Sequence, residues 1–147
     1  MFDWLGFHVL AVLAVALILG GMVFFAAFMT PMVFTKLPRE TAGAFLAQVF
    51  PVYYQVMAVA AALAVLFAGM ADLGQPIGAN TVLLVLVALG FVGARYALLP
   101  RIERHREGAR AGNPDAMRAF AQLHRRSAFL NLAQMVAVAV VLVNMAR

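Results

Sequence analysis

The chain has 147 residues, of which 65% are hydrophobic and 12% charged, and a formal charge of +5; its mean hydropathy is +0.94. A soluble domain is about half apolar and about a quarter charged, so a small soluble core is excluded and the class is integral membrane. The absence of cysteine further excludes disulfides, thiolate metal ligands and a cysteine nucleophile.

The opening "MFDWLGFH" carries Asp3 and no lysine or arginine, so it lacks the positive start of a signal peptide and reads as part of a retained first helix. Helix 1 is predicted over about Asp3 to Met29, with no polar side chain between Val9 and Met29. That covers the roughly 20 residues a bilayer core needs. Asp3 can cap it, Trp4 suits an interface, and Thr30-Pro31 is expected to end or kink it. In "TKLPRETAGAFLAQVFP", Ala42, Phe45, Leu46, Val49 and Phe50 recur at helical spacing opposite Arg39, Glu40 and Gln48. This is either a short interfacial helix or the entry turns of helix 2. Helix 2 proper is predicted over about Val52 to Ala71, kinked near Pro51, with small residues four apart at Ala58/Ala62, Ala60/Ala64 and Ala64/Ala68. After the turn "DLGQPIGAN", Asn80 is expected to cap helix 3, about Thr81 to Leu99. Pro100 then opens the only long polar segment. Within it, Asn113-Pro114-Asp115 reads as N-cap, first-turn proline and first-turn acid. Helix 4 can therefore start near Pro114 and run through the uncharged stretch Ser127 to Ala146.

The sequence thus predicts an all-α integral membrane protein, one domain of four transmembrane helices. The spans fall at about 4–29, 52–71, 81–99 and 127–146, with a basic loop over 100–126. Lys36, Arg39, Arg101, Arg104, Arg106, Arg110, Arg118, Arg125 and Arg126 fall on one side of such a bundle, and Arg147 alone on the other. The positive-inside rule then places the basic loops in the cytoplasm and both termini outside, with a bacterial inner membrane as the expected location. Basic residues without an aromatic-bearing soluble surface do not make a nucleic-acid site.

Polar residues inside the spans are the candidate chemistry. At 100° per residue, His124, Ser127, Asn131 and Gln134 fall within an arc of about 80° on helix 4, a stripe about 15 Å long. Facing lipid would be costly, so the stripe is expected to face the bundle, either as interhelical hydrogen bonds or as a polar pocket. Arg95 is the one charge within a span. It either snorkels or turns inward to meet Tyr53, Tyr54 or Gln55 and the stripe, as a counter-charge for a small anionic ligand. His8 and His124 lie near opposite ends of the bundle, roughly 30 Å of hydrocarbon apart, so they cannot clamp one haem; a single axial histidine stays open. Met22, Met29 and Met32 can be read as gap-fillers or as soft-metal ligands. No phosphate loop, HExxH, serine elbow or paired carboxylates occur, and no catalytic residue is assigned.

Three stretches together carry a family likeness: "GGMVFFAAFMTPMVFTKLP" with "AGAFLAQVFPVYY", then "ARYALLPRIERHRE", then "FAQLHRRSAFLNLAQM". They resemble the TMEM205-like family, which also appears as the domain of unknown function DUF4149. The resemblance implies a four-helix membrane protein without an assigned biochemical activity. More distantly, His8, the following glycines and Pro31-x-x-Phe34 are similar to helix 1 of the HemJ-type protoporphyrinogen oxidases and CopD-type copper-resistance proteins.

The leading reading is a non-enzymatic transport, ligand-binding or assembly-support bundle without a cofactor, its pocket open toward the cytoplasm. The small-residue faces of helices 2 and 3, including Gly90 and Gly93, motivate a homo-oligomer. The alternative is a redox enzyme linked to haem b through His8, and the third reading is copper handling by the methionines.

Overall fold

The computed structural model describes residues 3–147, with side chains from Gly6 onward. Four long helices make up the chain. We label as α1 the run Asp3–Val23, which continues through a π-helical turn Phe24–Met29 into Thr30–Lys36. Helix α2 is Arg39–Ala71. Helix α3 is Ala79–Gly93, continuing through a π-helical turn Ala94–Leu98 into Leu99–Arg110, and α4 is Pro114–Met145. All four are long and apolar enough to cross a membrane, and no strand occurs among the described residues. The protein is an all-α, four-helix membrane bundle.

Short connections force neighbouring helices to run antiparallel. Each packs on the next, and α4 closes the ring onto α1. The buried stripes follow the three- and four-residue spacing this requires: Ala11, Val15, Ile18 and Met22 on α1, then Met57, Ala61, Ala64 and Ala68 on α2. Leu84, Val87 and Phe91 continue the interior on α3, and Gln134, Val138 and Val141 on α4. The alanine bias of α2 thus sits where it lets neighbouring backbones approach. Leu13, Leu17, Leu63, Leu86 and Phe129 point outward, where lipid tails accept apolar side chains and every backbone group is satisfied within its own helix.

Proline does not end these helices where the sequence predicts. At Pro31 and again at Pro100 the helix continues, and in each case a π-helical turn lies just before the ring. Proline lacks an N–H and its ring clashes with the carbonyl four residues back. In the wider turn the ladder reaches five residues back instead: the Thr30 N–H bonds to the Phe25 carbonyl, and the Leu99 N–H to that of Ala94. The Thr30 hydroxyl also donates to the Phe25 carbonyl, at 2.9 Å. The extra residue shows in the buried face of α3, which steps by five from Ala94 to Leu99. Pro51 lies inside α2, which is one continuous helix from Arg39. The stretch before it therefore forms entry turns rather than a separate interfacial helix.

The segment 100–126 is a helical hairpin rather than a loop. The last turns of α3 pack on the first turns of α4. A Cβ on Gly108 would lie 2.8 Å from that of Ala116, so glycine permits the crossing. Gly112 takes φ +80 at the turn, a value that suits only glycine without strain. As expected, Asn113 caps α4: its Oδ1 accepts from the backbone N–H of Asp115 at 2.9 Å and of Ala116 at 3.3 Å. Asn80 does not cap α3. Gly78 holds that position, because the helix starts two residues earlier than its apolar run. The Asn80 Oδ1 instead accepts from Asn144 Nδ2 at 3.1 Å, tying the start of α3 to the end of α4. The expected roles of the Asp3 and Trp4 side chains lie outside the described residues.

Candidate functional site

At the end of the bundle that carries the basic residues, all four helices part around a cavity of about 700 Å³. Its wall is largely apolar: Leu46 and Phe50 of α2, Leu99 and Ile102 of α3, and Phe120 of α4. Thr30, Tyr54 and Ser127 lie at its inner end, His124 about one turn of α4 from Ser127, and Arg39, Glu40 and Arg110 toward its mouth. Helix direction sets this order, since Arg39 begins α2 and Tyr54 lies about 22 Å further along it at 1.5 Å per residue. The π-helical turns sit at the inner end, where Phe25 is buried and stacks on Tyr53 at 4.3 Å. Phe50 stacks on Tyr54 at 5.9 Å, so the floor is an aromatic layer.

Arg106 is fixed across the wall. Its guanidinium donates to the Gly43 carbonyl of α2, forms an ion pair with Glu103 at 3.2 Å, and lies 5.8 Å from the Phe120 ring centroid. One side chain therefore joins α2, α3 and α4 around the opening. Its charge is largely committed to this structure. Arg39 and Arg110 at the mouth, and His124 on the α4 wall, remain against the single carboxylate of Glu40.

The α4 stripe faces the bundle and divides by depth. His124 is exposed and stacks on Phe120 at 6.1 Å. Ser127 and Tyr54 share a hydrogen bond of 2.9 Å at the cavity floor. Asn131 donates to the Tyr53 hydroxyl at 3.4 Å, a weak contact. Gln134 is buried and its Nε2 donates to the Val87 carbonyl at 3.0 Å. Only Gly90 allows this, since a Cβ there would lie 2.7 Å from Gln134 Nε2. So the upper stripe meets the cavity, while the lower stripe is interhelical glue.

Other candidates lie elsewhere. Arg95 sits in the α3 π-helical turn, half-buried, with its guanidinium 5.3 Å from the ring centroid of exposed Tyr96; it does not line the cavity. Gln55 is exposed on the outer side of α2. At the opposite end of the bundle, His8 Nε2 lies 3.2 Å from the Met145 carbonyl, which joins α1 to α4. Met22 is fully buried in the core, Met29 packs against it, and Met32 is 39% exposed. The three thioethers therefore do not share one environment.

Over residues 13–111 the sequence matches the family model of a domain of unknown function, DUF4149. The chain belongs to the DUF4149 family. No curated protein and no solved structure matches it. The DUF4149 match covers α1 from Leu13 onward and the whole of α2 and α3, which form three of the four cavity walls. The stretch "LHRRSAFLN" on α4, which carries part of the likeness read from sequence, lies beyond the matched residues. Among the cavity residues of this DUF4149 chain that the sequence did not mark as site residues are Arg39, Glu40 and Gly43 of α2, and Ile102, Arg106, Arg110 and Phe120 of the hairpin. Reading 100–126 as a loop hid the hairpin residues. The signal was present in Ile102, Arg106 and Ala109, which repeat at helical spacing on one face.

Proposed function

We propose that this chain is a non-enzymatic ligand-binding protein of the bacterial inner membrane, whose cavity opens to the cytoplasm and holds a small amphipathic anion. The carrying observation is the 700 Å³ cavity between all four helices, largely apolar in its wall and cationic at its mouth. Its volume lies within the range of small-molecule sites, and an apolar body with a few placed polar groups is their usual chemistry. Arg39, Arg110 and His124 favour an anionic head, while Phe50, Leu99, Ile102 and Phe120 favour an apolar tail. The non-enzymatic reading draws on Ser127: its hydroxyl pairs with Tyr54 rather than with a histidine that would activate it as a nucleophile. Cytoplasmic orientation follows from the clustering of basic residues at the cavity end.

The test uses anilinonaphthalene sulfonate, an amphipathic anion, titrated against the full chain in nanodiscs of zwitterionic lipid. Wild type should show saturable binding of one probe per chain above the empty-nanodisc background. Gly43→Trp should abolish it, because Gly43 lines the cavity and has open space at its Cβ position. Arg110→Gln should weaken it by roughly fivefold, the equivalent of about 1 kcal/mol. Equal binding by wild type and Gly43→Trp overturns the proposal.

A further inference from the structure

The hairpin has a second face. Arg101, Arg104 and His105 of α3, with Gln122 and Arg126 of α4, surround a pocket of about 320 Å³. It shares no residue with the large cavity, and on both helices its residues lie roughly 130° around from those of the cavity, at 100° per residue. No carboxylate lines it. The ion pairs of the hairpin are Arg106–Glu103 and Arg118–Asp115, so Arg101, Arg104 and Arg126 have no ion-pair partner among the described residues.

This pocket continues into a groove. Gln122 and Arg126 also line a mostly apolar trough of about 570 Å³, whose other walls include Phe129, Leu130 and Ala133. The trough follows α4 for about 16 Å at 1.5 Å per residue, from the basic hairpin into the uncharged stretch that begins at Ser127. Phe129 is 73% exposed there. A cationic head pocket at the height of the bilayer interface thus leads without interruption into an apolar track along the membrane-spanning helix.

We propose that this face is a binding site for an anionic phospholipid of the surrounding bilayer, its phosphate headgroup held by Arg101, Arg104, His105 and Arg126 and one acyl chain lying along Phe129, Leu130 and Ala133. Guanidinium forks match phosphate oxygens in charge and geometry. Unpaired arginines between membrane helices select lipids with a net negative head over zwitterionic ones. The trough explains why the occupant is a lipid rather than free phosphate, since a bare anion would leave it unused. The site is independent of what fills the large cavity.

Native mass spectrometry of the delipidated full chain, with phosphatidylglycerol or phosphatidylcholine added back, tests this. Wild type should retain one phosphatidylglycerol about tenfold or more over phosphatidylcholine. The triple variant Arg101→Gln, Arg104→Gln, Arg126→Gln should lose that preference. Lys36→Gln, Arg118→Gln, Arg147→Gln, which removes the same charge elsewhere, should keep it. Ala133→Trp, which blocks the trough and leaves every charge in place, should weaken retention by a similar factor. Should the triple variant fail to fold, Arg104→Gln and Ala133→Trp decide, and unchanged retention in both overturns the proposal. Equal loss in the charge-matched control also overturns it, as does displacement of the lipid by glycerol phosphate at equal concentration.

Discussion

Gln134 shows how little of a polar side chain's role lies in its own identity. Its amide reaches the Val87 carbonyl only because residue 90 is glycine. Gly90→Ala should evict the amide and cost about 1–2 kcal/mol, the upper range for interhelical hydrogen bonds in membranes. In a Gln134→Ala background the same change should cost almost nothing, so a double-mutant cycle by reversible unfolding in detergent measures the coupling directly. Tyr54→Phe and Ser127→Ala each remove one partner of the 2.9 Å bond. Each should cost about 0.6–2 kcal/mol, and the double variant no more than the larger single. The inward direction of the stripe was legible from its spacing. Its division into cavity and glue was not, because that depends on Tyr53, Tyr54 and Val87 of other helices. Arg95 was legible only as a charge in a span; the π-helical turn in which it sits was announced by no residue spacing.

At the scale of elements, both prolines after π-helical turns mislead a reading from sequence for one physical reason. A proline is a stop signal only if the ladder cannot route around it, and here a five-residue reach does so. The consequence is that α3 extends beyond its apolar span and pairs with the first turns of α4 as a hairpin, whose residues line the cavity. Gly108→Val should force these helices apart at Ala116, since even a Cβ there would lie 2.8 Å away. Hydrogen exchange over 100–126 should then accelerate while the exchange of 81–93 stays slow. Asn113→Ala should cost about 0.5–2 kcal/mol through the lost cap, read as earlier fraying of the first turn of α4. This cap was legible from Asn113-Pro114-Asp115. The cap expected at Asn80 was not found, because Asn80 is used to join α3 to α4.

At the scale of the whole molecule, four membrane helices were fixed by apolar length alone, and the ring they form follows from short connections. The small faces that suggested self-association are partly used within the chain: Ala61, Ala64 and Ala68 are buried and Gly90 seats Gln134. Gly93 is open, so a homo-oligomer is expected to depend on it. Crosslinking in membranes should fall in Gly93→Leu, and crosslinking unchanged by that substitution contradicts the dependence. A chain without cysteine also allows a clean orientation test. Ala111→Cys should react with an impermeant maleimide only in inverted vesicles, and Ala146→Cys only in intact spheroplasts; the reverse pattern would place the cavity outside. The most direct measurement of the central claim is the intact mass of the protein purified gently from its own membranes, wild type beside Gly43→Trp. Wild type should carry a small anionic adduct that Gly43→Trp lacks, while any phospholipid adduct persists in both. The same set of adducts on the two proteins would contradict a ligand in the cavity.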